Sequence, residues 1–200
     1  MAIIPNLELT HGQMLQAIAF GREPGAGVRD KARYLRQLGI PRPPGAGPGK
    51  GQRVVYGFDD LALVGFGLLA LGEGYRPRVL TELMTHGRVD LVGHIRAAWT
   101  GYTDEFVNGA WTKMRGKSLT TLAEPWYLRL HGRAGGQMAG IELVQGRGDE
   151  TSSAVVPYEV IPGEAPAKLF EIDYWLPQWV AWACAAPPQP RGRQIVAPPE

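Results

Sequence analysis

Apolar side chains recur at helical spacing from the start of the chain. Leu9, Met14, Leu15, Ile18 and Ala19 share a face over 9–20, with Thr10 as the candidate N-cap. The breaker-rich run GREPGAG at 21–27 ends that helix. VRDKARYLRQL at 28–38 predicts a second, shorter one with Val28, Ala32, Leu35 and Leu38 on one side. Gly39 stands where a helix C′ residue belongs, and Pro41 blocks continuation. PRPPGAGPGKG at 41–51 predicts a flexible basic loop, and QRVVY at 52–56 a β-branched strand. Asp59 or Asp60 can cap a helix over 61–71 that Gly72 ends; another runs from Arg76 or Pro77 to about Met84. A further helix covers 89–99, and Gly101, Gly109 and Gly116 interrupt its continuation toward Lys117.

Beyond Ser118 the pattern changes. Short runs at 126–130, 138–144, 154–161 and 169–172 predict strands between Gly-rich turns. The aromatic run YWLPQWVAWACAA that follows closes as a helix, and 187–200 reads as a disordered tail. No internal repeat is present.

Composition narrows the classes. The chain has 200 residues, 44% of them hydrophobic, including 6 Trp, 7 Tyr and 5 Phe, enough apolar material for a core. Cys184 is its single cysteine, which rules out an intramolecular disulfide framework and a thiolate-cage zinc site. The N-terminus lacks a basic n-region and an apolar h-region, so no secretory signal is expected. The most apolar stretch, 169–186, carries Glu171, Asp173 and Pro177 and makes a poor membrane span. A cytoplasmic, nucleoid-associated bacterial protein with no membrane partner is the expectation.

The net charge of +2 hides an asymmetry. Between Arg22 and Phe58 eight basic residues face two acidic ones, whereas from Ala97 onward nine basic residues face eleven acidic ones. One part of the chain is thus suited to a polyanion, although a solvated basic face is the commoner meaning of such a run. Element order and charge together describe a winged helix-turn-helix. A helix presenting Arg29, Lys31, Arg33 and Arg36 can enter a major groove, and a loop with Arg42, Lys50 and Arg53 can follow the backbone or reach a minor groove.

The run ARYLRQLGI at 32–40 resembles the recognition-helix signature of MerR-type regulators. Arg53-Val-Val-Tyr56 followed by Asp59-Asp60-Leu61 resembles the end of that family's wing, and LLALGEGYRPRVLTELM at 68–84 is similar to its helix, Leu-Gly turn and second helix. The likeness covers about residues 9–96. It implies that Arg33 and Tyr34 contact DNA and that Arg53 and Tyr56 anchor the wing. Leu35 and Arg36 depart from the family pattern, which has an aromatic and an acidic residue there, and the long dimerisation helix is broken by glycines.

The expected fold class is therefore α+β. A mostly helical winged helix-turn-helix with a short β wing occupies 1–96, and a helical connector covers 97–117. A small mixed α/β domain with antiparallel strands, for dimerisation or effector binding, spans 118–186. Double-stranded DNA is the expected partner, read by a homodimer and without enzymatic activity, cofactor or metal.

Sharper motifs fail on spacing. GAGPGK at 45–50 has three residues between Gly45 and Gly49 and lacks the Ser or Thr that a phosphate loop places after its lysine. The Gly-x-Gly-x-x-Ala at 65–70 falls inside an expected helix, where small residues serve close packing. The four histidines lack metal spacing, and no serine stands in a nucleophile elbow. Trp175, Trp179 and Trp182 fall at i, i+4 and i+7, one face of a helix. Such a stripe is core or a dimer interface more often than an effector pocket. The alternative reading is a protein-interaction adaptor with a repurposed helix-turn-helix, its function carried by the Trp-rich C-terminal domain.

Overall fold

The computed structural model describes residues 2–42, 54–75, 80–81, 84, 88–102, 126–133, 137–145 and 164–187. Among these it has five helices: α1 (His11–Ile18), α2 (Ala26–Gln37), α3 (Phe58–Gly72), α4 (Arg88–Gly101) and α5 (Ile172–Ala185).

Local chemistry sets the ends of the first two. Thr10 and Gln13 form a reciprocal capping box at the start of α1, each side chain bonded to the other's backbone N–H at 3.2 and 2.9 Å. At the end of α2 the Gly39 N–H donates to the Arg36 carbonyl and the Ile40 N–H to the Leu35 carbonyl, with Gly39 at φ +84°. This is the Schellman arrangement, sealed by buried Ile40 beside Leu35. The turn between α1 and α2 contains Phe20 at φ +55° and Gly21 at φ +74°. Helix α3 begins at Phe58, three residues before the expected start. Asp60 acts from inside the first turn, accepting from the Gly57 N–H at 3.1 Å, and Asp59 forms two hydrogen bonds with Arg96 of α4 at 2.9 and 2.7 Å.

The core is built on α3, which is apolar around most of its circumference. Leu61, Ala62, Leu63, Val64 and Phe66 are buried, and α1, α2, α4 and α5 surround them. The N-terminal segment straps the helices together. The Ala2 N–H donates to the Tyr102 carbonyl at 2.9 Å, Trp99 Nε1–H donates to the Ile3 carbonyl at 3.0 Å, and Leu9 exchanges both backbone bonds with Tyr56.

Helix α5, assigned by the sequence reading to the 118–186 unit, shares this core. Ile172, Leu176, Trp179, Val180 and Ala183 are buried in one cluster with α1, α3 and α4. Trp179 lies over Gly65 of α3, where an added Cβ would come within 2.3 Å of its ring, and meets Phe66 edge-on at 5.3 Å. Trp182 covers Gly21 and Trp175 stacks on Phe20 at 5.6 Å, so two tryptophans hold the α1–α2 turn. At the start of α5, buried Tyr102 donates to Asp173 at 2.5 Å; burial first, and the carboxylate second, push the phenol pKa well above its ordinary value.

The winged α+β architecture is therefore corrected. The body is helical, and the described part of the strand expected at 52–56, residues 54–56, belongs to no wing hairpin among the described residues. Its Tyr56 instead makes an isolated antiparallel bridge to Leu9 of the N-terminal strap. The expected loop lies mostly outside the described residues. A separate C-terminal domain built on antiparallel strands and an aromatic helix does not describe the core either, since α5 is drawn into the helical body. Backbone pairing places Trp126–Arg133 (β1), Gln137–Gln145 (β2) and Glu164–Glu171 (β3) in antiparallel register in the order β2-β1-β3. β3 begins five residues before the expected Leu169 and leads directly into α5. The strand expected at 154–161 and the tail at 188–200 lie outside the described residues, as does most of the connector. Among the described residues no helix is long and apolar enough to cross a membrane.

Candidate nucleic-acid interface

Helix α2 touches the core with little of its surface. Only Ala32 and Leu35 are buried, and Leu35 fits where Gly67 of α3 leaves room, a Cβ there meeting its methyls at 3.0–3.2 Å. Arg29, Lys31, Arg33, Tyr34 and Arg36 are all exposed. Arg29, Arg33 and Arg36 follow at i, i+4 and i+7 and form one row along the helix. Lys31 and Tyr34 fall off that row.

The arginine row faces α1 across an open cleft of about 500 Å³, whose other wall is His11, Gly12, Gln13, Leu15 and Gln16. Glu23 and Pro24, from the turn, line it as well. Three arginines thus line one concave surface, and a guanidinium offers N–H donors matched to phosphate oxygens. Two of the three have acidic neighbours: Arg29 pairs with Glu23, and Arg33 with Asp30 at 3.2 Å. Both pairs are exposed. Arg36 makes no ion pair among the described residues.

Its charge is felt by His11 instead. The half-buried imidazole has its pKa lowered, first by desolvation and second by Arg36. Its Nδ1 finds no hydrogen-bond partner among the described residues, and its ring lies 5.7 Å from that of Tyr56. Gln13 fixes the same wall by donating from Nε2 to the Pro187 carbonyl at 2.7 Å, tying α1 to the end of α5.

The remaining sequence candidates divide. Arg42 is engaged internally: its guanidinium bonds the buried Asp60 carboxylate at 2.5 Å and the Val55 carbonyl at 2.8 Å and lies 5.8 Å from the Tyr56 ring centroid. The Asp60 hydrogen bond holds the guanidinium pKa above its ordinary value. Arg42 and Tyr56 therefore join the segment that follows α2 to the segment that precedes α3. Lys50 and Arg53 lie outside the described residues. Trp179 is buried, and Trp175 and Trp182 are half-buried against the α1–α2 turn, so the stripe expected as an effector or dimer surface packs within its own chain.

His11, Gln13, Gln16 and Glu23 were not among the sequence candidates. A usable signal was present, since the capping box at Thr10 and Gln13 fixes the first turn of α1, while the three arginines fix a face of α2. What the spacing could not supply was the angle that brings these two surfaces together.

Among the described residues no group of three or more His, Cys, Asp or Glu could hold a metal ion. No protein-family model, curated protein or solved structure matches the chain.

Proposed function

We propose that this chain is a double-stranded DNA-binding protein of the helix-turn-helix type, acting as a transcriptional regulator of the MerR kind. The observation that supports this reading is the surface of α2. Four of its residues are cationic and exposed, one is acidic, and the helix is mounted on the body by Ala32 and Leu35 alone. A helix held in this way can enter a major groove with its outer face free. Phosphate contacts from the arginine row would supply most of the affinity, and side chains of the outer face, Tyr34 among them, would supply base preference.

The alternative is a protein-interaction adaptor with a repurposed helix-turn-helix and a Trp-rich C-terminal domain. The tryptophans of α5 pack against Phe20, Gly21, Gly65 and Phe66 of the same chain, an observation that favours a core role for them.

The test is fluorescence anisotropy of the full-length protein on a random duplex across a salt series. The full chain is required because α5 is part of the core. Binding whose log K falls linearly with log salt is expected, followed by enrichment of a preferred site in a selection experiment. Absence of binding at low salt would overturn the reading.

A further inference from the structure

The cleft between α1 and α2 is more than a patch of positive charge, because one of its walls carries an acid. Glu23 reaches from the turn to pair with Arg29 inside the row that would meet phosphate. We infer that the cleft seats one backbone phosphate of the duplex, and that this phosphate enters by displacing the Glu23 carboxylate from Arg29. The inference rests on the DNA-binding reading and specifies where on α2 the backbone is held and what competes with it.

The arrangement favours an oxyanion over other occupants. Arg29, Arg33 and Arg36 line the cleft from one side, and the α1 wall supplies His11, whose Nδ1 has no partner among the described residues. The cleft is open to solvent, and the first helix of a helix-turn-helix lies across the DNA backbone. Glu23 is held only loosely. Its side chain is 80% exposed and that of Arg29 is 53% exposed. An exposed pair of this kind is worth at most about five-fold in an equilibrium constant, so a phosphate held by two further guanidiniums can replace it. Asp30 is the one acid on α2 itself; it pairs with Arg33 but does not line the cleft. Glu23 is therefore an internal occupant that lowers affinity for any polyanion until the correct geometry removes it.

The experiment compares the full-length wild type with Glu23→Gln and Glu8→Gln by anisotropy on one duplex across a salt series. Glu8 is exposed, lies outside the cleft and removes the same net charge. Glu23→Gln is expected to tighten binding about two- to five-fold at low salt, since it releases one exposed pair. The log K against log salt slope should stay that of the wild type, because the same phosphate is neutralised once Glu23 has been displaced. Glu8→Gln should change affinity less and leave the slope as it is. On an Arg29→Gln background the effect of Glu23→Gln should vanish. Equal behaviour of the two glutamate variants, or a gain that persists without Arg29, would overturn the inference while leaving DNA binding intact. A wild type that does not bind duplex at all would overturn both.

Discussion

Helices α2 and α5 are similar in length, yet they are attached to the same body in opposite ways. α2 buries Ala32 and Leu35 and turns its charged side chains outward. α5 buries most of its residues and inserts tryptophans over glycines of α3 and of the α1–α2 turn. A helix that contributes little to the core is free to vary on its outer surface, and a binding face needs that freedom. A helix that fills the core is constrained on nearly every side. The contrast teaches that the aromatic end of this chain holds α1, α2 and the turn between them in shape, while the basic helix has surface to spare for a partner.

Breaking the α5 side should have the largest effect. Trp179→Ala should destabilise the protein by about 3–5 kcal/mol, through lost burial and the cavity left beside Phe66. A urea titration followed by circular dichroism would measure it. A loss under 1 kcal/mol would mean that α5 is not a core element. Gly65→Ala approaches the same contact from the other side. The new methyl would meet the Trp179 ring, and overpacking of this kind costs about 1–3 kcal/mol. Thermal melting of that variant should show a lower midpoint, and an unchanged one would show that the ring can move aside.

Two arginines sharpen the comparison at intermediate scale. Arg42→Ala leaves the buried Asp60 with one donor fewer and should lower stability by about 1–2 kcal/mol. Arg33→Ala, on the exposed row, should stay within about 0.5 kcal/mol of wild type in stability. Its effect should instead appear in anisotropy, as weaker binding and a salt slope shallower by about 0.9. If Arg42→Ala changed the slope and Arg33→Ala did not, the roles assigned to the two residues would be reversed.

The smallest effect concerns pH. His11 has a folded pKa below its unfolded value of about 6.5, so the unfolded chain binds the proton more readily. Its contribution to stability is fully present above the unfolded value. It is lost as pH falls from there through the folded pKa. His11→Gln should flatten the decline in stability over that window, measured as urea midpoints at several pH values. A decline of the same steepness in the variant would place its origin elsewhere.

How much of this was legible in advance depended on range. The capping box at Thr10, the end of α2 at Gly39 and the exposed basic row could be read from neighbouring residues, because caps and helix faces depend on contacts three or four positions apart. The wing was misread for the same reason. A β-branched run beside a Gly-rich loop satisfies the local pattern of a hairpin, but Tyr56 finds its partner in Leu9, which no local rule could name. The pairing of Arg42 with Asp60 was out of reach for the same reason, since the two stand eighteen residues apart.

The sequence by itself determined the helices of the body, the ends of the first two and the concentration of positive charge on α2. These follow from side-chain spacing and backbone capping within a few turns of chain. Only the tertiary structure decided that the tryptophan helix enters the core, that Arg42 is bound to Asp60, and that three arginines face His11 and Glu23 across one cleft. Those outcomes depend on which distant surfaces exclude water from each other, and on gaps such as Gly21 and Gly65 whose size acquires meaning when a ring arrives to fill them.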